Sequence, residues 1–187
     1  MTLSSIFEIL AVIAGFLQGI LIMLNKKSNW IFYIIQMSLM VIFSMINHLW
    51  GDVAMNCLFI GYGVYGLISW NREQSGSGVS LLNKNQIMIT SASALILTFI
   101  SYFILKQTND PLPVLDTITT AGGLVATFLM VKHKLEAWIV WFIVDILYVA
   151  QYWLLPNQAL YLMALNIIWT VMAVISFINW KSILNKA

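Results

Sequence analysis

Long apolar stretches broken by short polar intervals recur seven times along the chain. They run over Ser5–Leu24, Trp30–His48, Val53–Trp70, Gln86–Leu105, Val114–Val131, Ala137–Leu155 and Gln158–Ile178. Each is close to the ~20 residues an α-helix needs to cross a bilayer. The pattern therefore predicts seven transmembrane helices, with almost nothing left over for a soluble domain. It also repeats. At an offset of about 108 residues Glu8 falls on Asp116, Gly15 on Gly123, Lys26 on Lys134 and Trp30 on Trp138. The offset then drifts to about 110, so that Ala54 meets Ala164, Asn56 meets Asn166 and Trp70 meets Trp180. The predicted fold is all-α and integral to the membrane: two parallel three-helix repeats joined by a linker helix. One transmembrane domain is expected over 1–187, with repeat one at 1–72, the linker helix at 84–106 and repeat two at 112–182. Duplicated bundles of this kind are a transporter architecture, with cargo bound near the membrane midplane between the halves.

Composition excludes the soluble alternatives. The chain is 61% hydrophobic and 9% charged, and its mean hydropathy is +0.90, too little polar residue to cover a soluble surface. The N-terminus lacks the basic region of a signal peptide, so the first span is expected to be retained. The single cysteine, Cys57, permits no intramolecular disulfide and reads as packing. His48 and His133 lie at span ends without a second imidazole at ligand spacing, so no metal site is expected. No Gly-x-x-x-x-Gly-Lys pattern occurs, which argues against ATP-driven pumping. No cofactor and no nucleic-acid partner are expected. The segment Gln74–Ser80 is the only linker-like stretch, and it falls between the halves.

Charge orients the spans. Threaded through seven helices, Lys26, Lys27, Arg72, Lys84, Lys132, Lys134, Lys181 and Lys186 fall on one side and Lys106 alone on the other. The positive-inside rule puts the basic side in the cytoplasm. The N-terminus is then outside and the C-terminus inside, in the inner (plasma) membrane.

Polar residues within spans carry the candidate chemistry. Asp145 lies near the middle of the sixth span, where a carboxylate costs several kcal/mol and usually faces a bundle interior or a wet cavity. Trp138, Trp141, Asp145, Tyr148 and Tyr152 share its helical face. In the seventh span Asn166 and Trp169 are one turn apart. Asp52, Asn56, Phe59, Gly63 and Trp70 form a stripe on the third span, and Tyr33, Gln36, Met40, Phe43 and Asn47 on the second. Aromatic faces attract cations, amides offer donors and acceptors, and a carboxylate offsets ligand charge or accepts hydroxyls. The combination suits a flat, polar, cationic ring. No nucleophile–base pair accompanies it, so the groups read as binding rather than catalytic.

Plainer roles compete for the same residues. Trp50, Trp70 and Trp180 suit interfacial anchors, and Trp138 suits either an anchor or the site. Trp141, Tyr148 and Trp169 lie deeper and are expected to line it. Asn56 and Asn166 suit ligand contact or hydrogen bonds between helices. Gly15, Gly122, Gly123 and Ser91–Ala94 are expected to permit close helix packing, Glu8 and Asp116 to cap helices or mark the outer entrance, and the methionines to fill the core.

Several stretches together resemble the PnuC-type vitamin transporter family. The second half carries Leu115-Asp116-Thr117-Ile118-Thr119-Thr120, then Leu124-Val125-Ala126-Thr127 and the basic Lys132–Lys134. Glu136-Ala137-Trp138 follows, continuing through Trp141 to Asp145, similar to a Glu-x-Trp-x-x-Trp-x-x-x-Asp pattern. Trp30, Gln36 and Tyr62-Gly63-Val64-Tyr65-Gly66 through Trp70 echo it in the first half. The resemblance implies a three-plus-one-plus-three fold like a full-length SWEET architecture. It implies an aromatic and amide cargo site at Trp141, Asp145, Asn166 and Trp169, with Gln36 and Asn56 as weaker candidates. It also implies uptake of a vitamin-type precursor, nicotinamide riboside first, by facilitated diffusion with trapping by a cytosolic kinase that the transporter need not bind. Thiamine or another nucleoside-like vitamin is the alternative cargo. A non-transporting membrane binding or assembly subunit is the alternative class, and the sequence sets no oligomeric state.

Overall fold

The computed structural model describes residues 3–48, 50–72, 78–107, 112–154 and 160–186. Seven helices follow in order: α1 (Leu3–Met23), α2 (Asn29–Ile46), α3 (Trp50–Arg72), α4 (Lys84–Leu105), α5 (Pro113–Val131), α6 (Ala137–Leu154) and α7 (Leu160–Leu184). The apolar pattern places six of them to within three residues at each end. The seventh, α7, continues six residues past the expected Ile178, and in that extension Trp180 is buried. Six helices are long and apolar enough to cross a membrane among the described residues. The remaining one, α3, has 23 residues, roughly 34 Å of helix, but its polar content is higher.

The helix starts have local causes. Asn83 caps α4: its side chain accepts from the Gln86 amide at 2.9 Å, and the Gln86 side chain accepts from the Asn83 amide at 3.1 Å. This reciprocal box satisfies two of the N–H groups a helix start leaves open. It sets the start at Lys84, two residues before the apolar pattern does. Pro113 opens α5, where its missing N–H costs nothing. Threonines inside the spans satisfy their hydroxyls on their own helices. Thr117 donates to the Pro113 carbonyl (2.6 Å), Thr127 to Gly123 (2.8 Å) and Thr98 to Ala94 (2.8 Å).

The chain forms two compact units, Met1–Gly78 and Val79–Ala187. In the first, α2 packs on both α1 and α3; in the second, α5 packs on α4 and α6, and α6 on α7. The repeat seen in the sequence is present as matched local geometry. After α1 the amide of Asn25 donates to Ile22 and that of Lys26 to Leu21; after α5 the amide of His133 donates to Met130 and that of Lys134 to Leu129. Asn25 and His133 both take left-handed backbone, φ 54° and 50°. This is the pairing that closes a helix through a left-handed residue.

The core of each unit matches as well. Trp30 stands edge-on to Trp70 at 5.5 Å and 85°, and Trp138 stands edge-on to Trp180 at 5.3 Å and 87°. Trp30 and Trp180 are both 0% exposed. Gly66 lies directly under the Trp30 ring, so close that a Cβ there would collide with it. The matching position in the second unit is Ser176, also buried. Trp70, Trp138 and Trp180 are therefore core residues of their own bundles, which corrects the reading of Trp70 and Trp180 as exposed interfacial anchors. The physical reason is that each ring finds an aromatic partner on the neighbouring helix and leaves the lipid. The Trp50 side chain lies outside the described residues.

Two smaller expectations also change. Cys57 is exposed rather than packed. Ser91–Ala94 lie on α4, which buries none of its residues in this unit and so does not use them for close packing. Leu95, 73% exposed, and Phe99 and Met88 stand out from that helix. An apolar helix with nothing buried requires an apolar solvent. Gly15 and Gly122 do allow close approach: an added Cβ would lie 2.7 Å from Gln36 Nε2 and 2.5 Å from Val144 Cγ2 respectively. The methionines divide, with Met130 in the core and Met45 and Met88 exposed.

Candidate functional site

The second unit carries five of the seven expected site residues on two adjacent helices. Trp141, Asp145 and Tyr148 succeed one another along α6, while Asn166 and Trp169 lie one turn apart on α7, which packs against it. Asp145 is 5% exposed and Asn166 9%. A carboxylate withdrawn from water within a membrane helix is costly unless something polar or cationic meets it. Trp141 and Trp169 are half-buried, with ring surface still accessible. Gly123 on α5 makes room for the Trp141 ring, its would-be Cβ lying 3.7 Å from Trp141 Cη2. Trp138 belongs to the same face in sequence but is turned into the pair with Trp180.

Tyr148 is held by two neighbours. It is hydrogen-bonded to Thr119 and stacks on Tyr152 at 5.9 Å and 12°. The Thr119 hydroxyl also approaches Gln151 Oε1 at 3.4 Å, and Gln151 Nε2 approaches Asp116 Oδ1 at 3.5 Å. Asp116 thus faces Gln151 on α6 from the first turn of α5, whose N-cap is Leu112 rather than Asp116. Sequence reasoning missed Thr119 and Gln151. Their signal was present: each stands three residues after a residue already noted, Asp116 and Tyr148, and so on the same face.

Gln36 and Asn56 belong to the first unit, on the adjoining helices α2 and α3. Gln36 is half-buried against Gly15 of α1, and Asn56 is half-buried. The two stripes expected there are partly structural. Tyr33 stands edge-on to Trp30 at 5.7 Å and to Phe59 at 6.4 Å. Gly63 packs on Ile34, and Asn47 donates to the Phe43 carbonyl of its own helix at 2.8 Å. The Asp52 side chain lies outside the described residues. Among the described residues no group of histidine, cysteine and carboxylate side chains is placed to hold a metal.

The α5–α6 turn is polar and firmly held. Ser80 pairs with it through N–H to the His133 carbonyl (3.0 Å) and through its own carbonyl to Leu135 N–H (3.1 Å). Lys134 Nζ donates to Ser80 Oγ at 2.9 Å, and Glu136 Oε1 accepts from Leu82 N–H at 2.9 Å. His133 is buried beside Trp180, with ring centroids 5.9 Å apart. Burial holds its imidazole neutral, with the pKa lowered from 6.5 to about 4.

Comparisons with known proteins agree on one family. The family model described as Nicotinamide mononucleotide transporter matches residues 5–182. The Nicotinamide riboside transporter PnuC of Neisseria mucosa is 24% identical over 189 residues, covering 94% of this chain and 72% of that protein. A solved structure described as the Vitamin B3 transporter PnuC superposes with a TM-score of 0.78 at 23% identity, over 97% of this chain and 83% of that one. These neighbours are multi-pass membrane transporters and not enzymes, as the binding character of the stripe suggests.

Proposed function

This chain belongs to the nicotinamide mononucleotide transporter family, and from that premise we propose that it takes up nicotinamide riboside. The observation that carries the choice of riboside over mononucleotide is the sign of the charge inside the spans. Asp145 is buried among aromatic side chains on α6, while every lysine and arginine lies at a helix end or outside the helices. A phosphate would meet a buried carboxylate with no cation to offset it. The riboside instead brings a positively charged nicotinamide ring and hydroxyls. Trp141 and Trp169 present faces to the ring cation, a contact of up to ~2 kcal/mol when water is excluded. Asp145 offsets the charge, Tyr148 flanks it, and Asn166 offers donors and acceptors to the hydroxyls or the carboxamide. Gln36 and Asn56 of the first unit are the weaker candidates. The similarity to a curated nicotinamide riboside transporter supports the same cargo.

Transport is by facilitated diffusion in the inner membrane, with the N-terminus outside and the C-terminus in the cytoplasm. A cytosolic kinase traps the cargo as its phosphate. Calorimetry on the purified chain against nicotinamide riboside, nicotinamide mononucleotide, thiamine and riboflavin tests the cargo. The riboside is expected to bind at least ~10-fold more tightly than the mononucleotide, a difference of ~1.4 kcal/mol. Equal or tighter binding of the mononucleotide would overturn the charge argument. Tighter binding of thiamine, also a ring cation, would replace the cargo and keep the site.

A further inference from the structure

The second unit carries a groove between α6 and α7. Trp138, Ile139 and Phe142 of α6 and Ala173, Val174 and Phe177 of α7 line a cavity of about 200 Å³, apolar almost throughout. It opens past Ile139 and Val174, both more than two-fifths exposed. Lys181 stands at one end, its Nζ 6.0 Å from the centroid of the Phe177 ring that lines the groove. The α5–α6 turn closes the same end, since His133 and Trp138 both lie against Trp180. That turn brings Lys132, exposed and 5.9 Å over the Phe128 ring.

Duplication supplies an internal control. The first unit has Trp30, Ile31, Ile34, Gly63, Val64 and Leu67 at the matching positions. There Gly63 lets α2 and α3 close together, Ile34 Cγ1 lying 2.7 Å from where a Cβ would stand. In the second unit Ala173 has that Cβ, and Phe142 replaces Ile34. The position matching Lys181 is Asn71. The residues lining the groove and the cation beside it thus differ together between the two copies of a duplicated sequence.

We propose that the α6–α7 groove holds one acyl chain of an anionic glycerophospholipid whose phosphate lies on Lys181. An apolar groove within a membrane helix pair takes a hydrocarbon chain, and a lysine at its mouth favours a negative headgroup. The lysine stem, laid over Phe177, keeps the ammonium at the depth where a phosphate sits. This reading stands apart from the cargo, since neither Lys181 nor Val174 belongs to the proposed transport site.

The test uses the purified full chain in detergent, titrated separately with dioleoylphosphatidylglycerol and dioleoylphosphatidylcholine, with bound lipid counted by native mass spectrometry. One phosphatidylglycerol is expected to be retained about fivefold more tightly than phosphatidylcholine, the usual worth of one lysine near an anionic surface. Lys181→Gln should remove that preference while leaving cargo binding intact, which also shows that the variant is folded. Val174→Trp should fill the groove and release both lipids. No headgroup preference in the native chain, or one that survives Lys181→Gln, would overturn the proposal. So would a Val174→Trp variant that retains lipid but changes the mass of the assembled protein, because the occupant would then be a second copy of the chain.

Discussion

A tryptophan near the end of a membrane helix can hold its ring at the headgroup level or turn it into the bundle, and the two uses differ in what truncation costs. Trp180 is turned in, with no exposed surface, against Trp138 and His133. Trp180→Ala should therefore destabilise the protein by about 3–5 kcal/mol, the usual cost of emptying a large aromatic site. Ile178→Ala, on a side chain 60% exposed, should cost a few tenths. Trp138→Phe should cost far less than Trp138→Ala, because the buried indole N–H of Trp138 has no hydrogen-bond partner among the described residues and nothing is lost with it. Thermal unfolding in one detergent ranks all four; near-wild-type stability for Trp180→Ala would return that residue to the interface. The site residues should behave differently. Trp141→Ala, Asp145→Asn and Trp169→Ala are each expected to weaken riboside binding ~10-fold or more with unfolding little changed. Parallel losses of binding and stability would mark them as packing. The burial of Asp145 was legible from the sequence because a mid-span carboxylate usually faces a bundle interior. Trp180 was not, because its role depends on a partner from another helix. Thr119 and Gln151 could be found only by their spacing from Asp116 and Tyr148, because uncharged polar residues satisfy themselves on their own helices often enough to carry little signal alone.

Elements were readable wherever apolar length alone decides them, and less so where tertiary contact extends or caps a helix. The start of α4 was in the sequence as Asn83 and Gln86 three apart, whereas the last six residues of α7 were not, since Trp180 among them packs on Trp138 of another helix. The α5–α6 turn shows what an element adds beyond its residues. It takes the same hydrogen bonds as the α1–α2 turn, yet has a buried histidine where the first repeat has Asn25. The folded protein holds His133 neutral down to a pKa of about 4, while the unfolded chain protonates it near 6.5. Between those values the unfolded state binds more protons, so stability falls as pH drops from about 6.5 to about 4, and above that window the histidine contributes no slope. His133→Asn borrows the residue of the matched turn, which tolerates the left-handed φ of 50°. Thermal unfolding between pH 4 and pH 8 should show a shallower acid slope for this variant. An unchanged slope would assign acid sensitivity to other groups.

At the scale of the whole molecule, the duplication and the separation of lysines carry the functional argument. Reporter fusions after Asn71 and after Lys134 should both read as cytoplasmic, and a fusion before α1 as external. Either loop found outside would break the correspondence between the two repeats. The same charge pattern bears on energetics. Asp145 is the single carboxylate near the middle of a span, the chain has no nucleotide-binding sequence, and the lysines remain at the membrane edges. In the proposed facilitator, one carboxylate assigned to a cationic cargo leaves little to couple a proton or sodium gradient. Net uptake by such a facilitator comes from chemistry after passage. On that proposal, phosphorylation by a cytosolic kinase would turn a cation suited to Asp145 into a phosphate that it repels, so that the product would not return. Proteoliposomes containing only this chain and no kinase should fill with nicotinamide riboside until internal and external concentrations are equal, whatever the pH or sodium gradient. Enclosing a riboside kinase with ATP should raise total internal cargo while free riboside stays level with the outside. Asp145→Asn separates the remaining possibility, that this carboxylate carries a proton with each cargo molecule. In a coupled carrier the wild type accumulates riboside above equality without kinase, an ionophore collapses the excess, and the variant only equilibrates. In a facilitator both proteins stop at equality, and the variant differs only in needing more riboside to reach the same rate.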